Sequence, residues 1–296
     1  MKKSFNYNKI CLFFVALTLL LLPTYLIRFK IGNIPTTFLE IYIYFIFILF
    51  LVDMSLRAVE KQSINQVKDC HSRRYIGFAM TKKFILPLIL FILAAISSYY
   101  ARERLVALGE MKAYFFDGLL IFLMFYAYRN EEFIQKWTVN FYLISGLIVS
   151  VWGLLQRVNI VGLIGHQLKD PMLLGQIAQG RILGPFESPN YLAMYIAPLI
   201  VALIIIYFKN TTLSYLKRFI FPLVGTFSVT LILTQSFSSI IAVFLAIAFY
   251  FALQSKKKWW YLGLAVIILA FGLFFINKLN ITSGSIAARH EIYHAA

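Results

Sequence analysis

The chain has few charged residues, few acidic residues and few of the residues that usually bind metals. Only 14% of its 296 residues are charged, 12 are Asp or Glu, four are His and two are Cys. Soluble proteins carry about 25% charged residues, so this composition excludes a water-soluble enzyme and a disordered tail. Cys11 and Cys70 lie far apart, which excludes a disulfide-stapled secreted domain and a cysteine metal cluster.

Glycine-rich nucleotide motifs are also absent. The chain contains neither G-x-G-x-x-G nor G-x-x-x-x-G-K, and it has no C-x-x-C pair. The chain therefore has none of the motifs that would predict nucleotide binding or ATP hydrolysis. Any energy for a reaction or a transport step is therefore expected to come from the substrate or from a gradient.

Apolar residues dominate what is present, at 61% of the chain with a mean hydropathy of +0.79. A membrane-spanning helix needs about 20 apolar residues, and isolated strands leave their backbone groups unsatisfied in lipid. We therefore predict an all-α polytopic membrane protein that forms a single membrane domain over 1–296. Its nine predicted spanning helices follow the apolar runs 10–27, 36–52, 84–100, 114–128, 138–156, 190–208, 218–234, 237–253 and 259–276.

The distribution of basic residues predicts the orientation. Lys and Arg accumulate on the cytoplasmic side of membrane proteins, and the chain carries 28 of them for a net charge of +16. With the N-terminus in the cytoplasm, the first run kept as an uncleaved helix and the C-terminus outside, 18 of the 28 lie in cytoplasmic segments. They are Lys2, Lys3, Lys9, Arg57, Lys61, Lys68, Arg73, Arg74, Lys82, Lys83, Arg129, Lys136, Lys209, Lys217, Arg218, Lys256, Lys257 and Lys258.

The loop 157–189 is predicted to lie outside and carries the most informative residues. Its apolar stretch Met172–Ala178 is typical of an interfacial helix lying on the membrane. Ser188 is a good N-cap and Pro189 suits the first helical position, so the sixth spanning helix should begin there. Unpaired N–H groups at that helix start, together with Arg181, would form an anion cradle. The alternative is an ordinary capped helix with an arginine that reaches to the interface.

The pattern R-x-x-G-x-F-x-x-P-N-Y-L-A over 181–193 resembles the signature of the bacterial O-antigen ligase and polymerase family. Further pieces that resemble the family lie along essentially the whole chain, at 22–25, 34–40, 107–115, 233–236 and 283–293. The resemblance implies a membrane glycosyltransferase of GT-C-like architecture in the bacterial cytoplasmic membrane. The enzyme would move a glycan from undecaprenyl pyrophosphate to an acceptor sugar at the outer face, and it would need no cofactor and no metal.

The resemblance also implies the site residues and the partners. Arg181 would contact the donor pyrophosphate, assisted by Ser188 and Asn190, and Arg289 matches the early arginine of the family's large outer loop. The partners would be the lipid-linked glycan donor, a saccharide or lipid-core acceptor, and membrane lipids, without nucleic acid.

Two departures from the family pattern affect the predicted chemistry. Phe237 stands where family members have an arginine after Thr-x-Ser. The loop that carries the family's histidine base starts at 277–296, so we expect the chain to be the N-terminal part of such an enzyme and inactive by itself. His290 and His294 are candidates for the base, and the alternative is that both are exposed loop residues.

Two acidic residues are also predicted to lie near the membrane interface. Glu40 and Asp117 lie near the outer ends of the second and fourth runs, where they would pair with cations at the interface or line a substrate cavity.

Two other functions are alternatives to the glycosyltransferase. A transporter or flippase of lipid-linked sugars would use the same basic outer cavity without chemistry. A non-catalytic, truncated membrane partner is the other alternative.

Overall fold

The computed structural model describes residues 7–32, 34–65, 82–162, 171–209, 213–254 and Gly263. The chain is mostly helical. Its helices are α1 (Tyr7–Leu21), α2 (Phe38–Asn65), α3 (Lys82–Tyr100), α4 (Arg104–Glu110), α5 (Asp117–Ala127), α6 (Glu132–Arg157), α7 (Pro171–Ala178), α8 (Pro189–Phe208), α9 (Ile220–Leu233) and α10 (Phe237–Gln254). The shorter elements are two 3-10 turns (Leu22–Leu26 and Ser214–Phe219), a π-helical segment (Met111–Phe116), and the strands β1 (Arg28–Ile31) and β2 (Ile34–Thr37).

Six helical segments among the described residues are long and apolar enough to cross a membrane, which agrees with a polytopic helical membrane protein. They are Lys9–Leu26, Phe38–Arg57, Glu132–Arg157, Pro189–Phe208, Ser214–Leu233 and Phe237–Gln254.

The remaining three of the nine predicted spans do not reach this standard in the described structure. The run 84–100 forms α3, whose apolar part Ile85–Tyr100 is a shorter helix. The run 114–128 is divided between the π-helical segment and α5. The run 259–276 lies outside the described residues, apart from Gly263.

A β-hairpin between α1 and α2 corrects the expectation that every element would be helical. β1 and β2 pair antiparallel, with Arg28 opposite Thr37 and Ile31 opposite Ile34. Gly32 in the turn has a φ of 61°, which a glycine adopts without strain. The hairpin pairs only the facing backbone groups of its two strands, but it lies mainly between two apolar runs rather than within one, so the argument against isolated strands in lipid does not apply to it.

A capping box begins α2 directly after the hairpin. The Thr37 N–H donates to Glu40 Oε2 (3.3 Å), and the Glu40 N–H donates to Thr37 Oγ1 (3.2 Å). This reciprocal pair satisfies two N–H donors that an uncapped helix start would leave free. It fixes Glu40 at the first turn of α2.

The backbone divides into two compact units, residues 1–148 and 149–296, and the boundary falls inside α6. The core of the first unit is built by α1, α2, α5 and the first part of α6. Its buried apolar residues are Cys11, Leu12, Val15, Ala16, Ile46, Phe50, Met124, Tyr128, Ile134 and Phe141. Small residues such as Ala16 let helices approach closely, which is how helices associate where lipid is as apolar as their side chains.

A buried polar network ties three elements of the first unit together. Asp53 Oδ2 accepts hydrogen bonds from the Tyr128 hydroxyl (2.7 Å) and from Arg57 Nε (2.7 Å). Tyr128 also contacts the Cys11 thiol (3.3 Å), and Arg57 pairs with Glu131 (3.5 Å). Asp53 is thus a buried charge with a cation and a hydroxyl donor beside it, as a buried carboxylate requires.

The second unit is organised around α8, which packs against α9 and α10. Leu192, Ile196, Leu199 and Leu203 are buried at spacings of four, three and four along α8, so they lie on one face of the helix. Phe227 and Leu231 of α9 are buried as well. This packing fixes the N-terminal end of α8, where the predicted site lies.

Candidate functional site

The loop that precedes α8 is held by the C-terminal end of α6. Gln156 Oε1 accepts hydrogen bonds from the backbone N–H groups of Leu183 (3.3 Å) and Gly184 (3.1 Å). Gly184 has a φ of 58°, and a Cβ at this position would lie 3.1 Å from the Val149 carbonyl oxygen. Any other residue at 184 would therefore be strained in its backbone and too close to α6.

Apolar packing fixes the same loop from its other sides. Ile182, Leu183 and Phe186 are all buried, and the Phe186 ring lies 5.4 Å from the ring of Tyr195 on α8. A Cβ at Gly153 of α6 would lie 3.2 Å from Ile182 Cδ1, so the loop approaches the helix closely there. The loop therefore has one packed conformation, which is the condition for presenting a side chain accurately.

The start of α8 confirms the predicted cap and corrects the predicted cradle. Ser188 is the N-cap with extended backbone angles, its Oγ accepts from the Asn190 N–H (3.3 Å), and Pro189 is the first helical residue. The N–H groups of Tyr191 (3.1 Å) and Leu192 (3.3 Å) donate to the Ser188 carbonyl oxygen. The first N–H groups thus have partners within the chain, so the helix start offers an anion its dipole and not free donors.

Arg181 is half-buried and held by two acceptors from different elements. Its Nε donates to the Thr234 carbonyl oxygen (2.9 Å), and its Nη2 donates to Asn190 Oδ1 (3.3 Å). Of its five N–H donors, the other three have no partner among the described residues. Burial lowers the pKa of the Arg181 guanidinium, but arginine starts so high that the group keeps its positive charge. Arg181 is therefore a fixed cation that keeps three N–H donors for a ligand, as far as the described residues show.

The turn between α9 and α10 supplies the second support for Arg181. The Ile182 N–H donates to the Leu233 carbonyl oxygen (3.2 Å), next to the bond from Arg181 to Thr234. Gln235 follows with a φ of 53° and an exposed side chain, and the hydroxyls of Ser236 and Ser239 lie 3.2 Å apart. Residues 234–236 belong to the resembling piece 233–236, but none of them was predicted as a site residue.

The sequence signals for two supporting residues were weak. Thr234 acts through its backbone carbonyl, and a backbone group leaves no signature in the residue type. Gln156 did leave a signal, because it is a buried amide at the end of an otherwise apolar run. A buried amide needs a hydrogen-bond partner, and here that partner is the loop backbone.

The two acidic residues singled out in the sequence lie in the first unit. Glu40 is buried and pairs with Lys112 Nζ (3.0 Å), which bears out its interpretation as a pairing residue. Asp117 is also buried, and its Oδ1 has no hydrogen-bond partner among the described residues.

Three predicted site residues lie outside the described residues: Arg289, His290 and His294. Residues 290–294 read H-E-x-x-H, a pattern that places two histidines on one face when it is helical and that binds zinc in some hydrolases. The sequence therefore does contain one pattern that is known from zinc sites. No cluster of three metal-ligating side chains occurs within the residues that the structure describes.

No family model, curated protein or solved structure matches this chain. A guanidinium fixed at two points, beside the positive end of a helix dipole, is chemically able to bind an anionic group and to stabilise negative charge on it. Arg181 matches this description, Asn190 orients it, and Ser188 shapes the helix start.

Proposed function

We propose that this protein is an O-antigen ligase- or polymerase-like membrane glycosyltransferase of GT-C-like architecture. It takes a glycan from undecaprenyl pyrophosphate and joins it to an acceptor sugar at the outer face of the bacterial cytoplasmic membrane. Its N-terminus is cytoplasmic, its C-terminus is outside, and Arg181 contacts the pyrophosphate of the donor. The support for this proposal is the resemblance of the sequence together with the geometry of the second unit.

The contact of Arg181 with Asn190 and Thr234 carries the proposal. These residues come from two separate pieces of the resembling pattern, 181–193 and 233–236. In the folded chain they meet through hydrogen bonds of 3.3 and 2.9 Å around one guanidinium. Motif pieces that converge on one cation are expected of a binding site, whereas an arginine that only reached toward the lipid interface would need no such partners.

The role of Arg181 follows from the chemistry of glycosyl transfer. The acceptor hydroxyl oxygen bonds to the anomeric carbon of the glycan, and the bond from that carbon to the pyrophosphate oxygen breaks. The hydroxyl proton passes to a base, for which His290 and His294 are the candidates, and negative charge develops on the leaving pyrophosphate. A guanidinium that donates two bonds to that group stabilises the charge as it forms.

Replacement of Arg181 in the intact gene tests the proposal. We expect Arg181→Ala to reduce glycan transfer about 100- to 1,000-fold, the usual effect of removing one donor to a developing oxyanion. Arg181→Lys should recover only part of the activity, because lysine keeps the charge but loses the fork. Transfer is measured as glycan-modified acceptor on a gel, with protein levels followed in the membrane fraction.

Arg218→Ala is the matched control. Arg218 is an exposed arginine of the same unit, in the 3-10 turn before α9. It lies at the start of the predicted run 218–234, and that start is predicted to face the cytoplasm. Its replacement should leave transfer unchanged. Full transfer by Arg181→Ala at normal protein level would refute the assignment.

A further inference from the structure

A second arginine lies against the backbone next to Arg181. Arg157 is the last residue of α6, and a Cβ built on Gly180 would lie 3.1 Å from its Nη1 and 3.3 Å from its Cζ. Gly180 has a φ of 81° and no side chain, so the guanidinium can lie directly over it. The guanidinium of Arg157 therefore adjoins the residue that immediately precedes Arg181.

Neither arginine has a carboxylate partner within the described residues. The ion pairs there join Asp53, Glu131, Glu40 and Glu132 to other cations, and none of these pairs includes Arg157 or Arg181. In the described part of the second unit, Glu187 is the one acidic side chain. Two guanidinium groups beside one packed loop, neither of them ion-paired with a carboxylate among the described residues, leave positive charge that an anion would balance.

We propose that Arg157 is a second phosphate-binding residue, so that Arg157 and Arg181 together recognise a pyrophosphate group in preference to a single phosphate. This inference rests on the proposed function and goes beyond it, because it assigns the specificity of the site. It also offers an explanation of how this chain could bind a pyrophosphate although Phe237 stands where the resembling family carries an arginine.

The different settings of the two arginines fit separate roles. Arg181 is half-buried and fixed by Thr234 and Asn190, so it presents its fork in one orientation. Arg157 is exposed, and its guanidinium lies over Gly180 without a hydrogen-bond partner among the described residues. A pyrophosphate spreads its charge over two phosphoryl groups, and two guanidinium forks match those groups one to one.

Binding of two short lipid probes tests the inference. The protein is placed in phosphatidylcholine nanodiscs and titrated with farnesyl pyrophosphate and with farnesyl monophosphate. We expect the wild type to bind the pyrophosphate more tightly. Arg157→Ala should lower the affinity for the pyrophosphate about 10- to 100-fold, the loss expected for a charge-assisted hydrogen bond, with little change for the monophosphate. Arg181→Ala should weaken the binding of both probes.

Each remaining outcome decides between the two claims. If Arg157→Ala binds both probes as the wild type does while Arg181→Ala is impaired, the inference is wrong and the Arg181 site stands. If neither variant changes binding, both the inference and the proposed pyrophosphate site are wrong. A role of Arg157 in capping α6 would lower the unfolding temperature without changing the preference between the probes. Arg218→Ala serves as the charge control and should bind both probes normally.

Discussion

At the scale of single residues, the site depends on how an arginine is held. The Nε of Arg181 donates to a backbone carbonyl of the α9–α10 turn, and one Nη donates to the Asn190 side chain. A lysine has three donors on a single nitrogen and no planar fork, so with two of them bound it would keep only one for a ligand, whereas arginine keeps three. The residue type at 181 is therefore explained by positioning as well as by charge.

Gly184 is the residue whose replacement should disturb this arrangement most directly. An alanine there would adopt a left-handed backbone, which costs about 1–2 kcal/mol, and its Cβ would approach the Val149 carbonyl oxygen to 3.1 Å. We expect Gly184→Ala to lower the unfolding temperature in detergent and to weaken donor binding, since the shifted loop also carries Arg181.

Gly225→Ala is the control for that prediction. Gly225 lies within α9, and among the described residues no atom lies within 4 Å of an added Cβ. Alanine favours a helix by about 0.5–1 kcal/mol over glycine, so this variant should be as stable as the wild type or more so. Equal stability of Gly184→Ala and Gly225→Ala would contradict the packing that we describe for the loop.

At the scale of elements, local chemistry predicted part of the structure well. The start of α8 follows from Ser188 and Pro189, and the short helix over 171–178 follows from its apolar stretch. Both predictions depend only on residues that are close together in the sequence, so they could be made without the tertiary structure. The capping box of Thr37 and Glu40 is equally local, a T-x-x-E pattern ahead of an apolar run, but it was not predicted.

Some features were not predicted because they depend on the segments between the apolar runs or on tertiary contacts. Hydropathy alone assigns no structure to 28–37, where Arg28, Lys30 and Gly32 mark a polar hairpin. The fourth run is divided into a π-helical segment and α5, and this division could not be predicted from the length of the apolar run. The bond from Arg181 to Thr234 joins residues 53 positions apart, and such a contact depends on how α8, α9 and α10 pack.

At the scale of the whole molecule, charge and hydropathy make a prediction about orientation. Basic residues concentrate in alternate segments, and the bias predicts that the segment 54–83, between the second and third apolar runs, is cytoplasmic. That segment contains Cys70, whereas Cys11, the other cysteine of the chain, is buried with 1% of its surface exposed. Labelling by an impermeant maleimide therefore reports on Cys70 alone.

We expect Cys70 to resist the impermeant reagent in intact cells and to react after the membrane is broken. Cys70→Ser is the control for specificity and should remove the signal under both conditions. Labelling of wild-type protein in intact cells would reverse the orientation, and it would place Arg181 on the cytoplasmic side of the membrane.

The central claim is that the fixed guanidinium of Arg181 holds the pyrophosphate of a lipid-linked glycan, and the lipids that co-purify with the protein test it most directly. The protein is extracted from its native membrane in polymer nanodiscs, and the bound lipids are identified by mass spectrometry. We predict a polyprenyl pyrophosphate glycan with the wild type and with Arg218→Ala, and its loss with Arg181→Ala. Equal recovery of that lipid with Arg181→Ala, or its absence from the wild type, would contradict the claim.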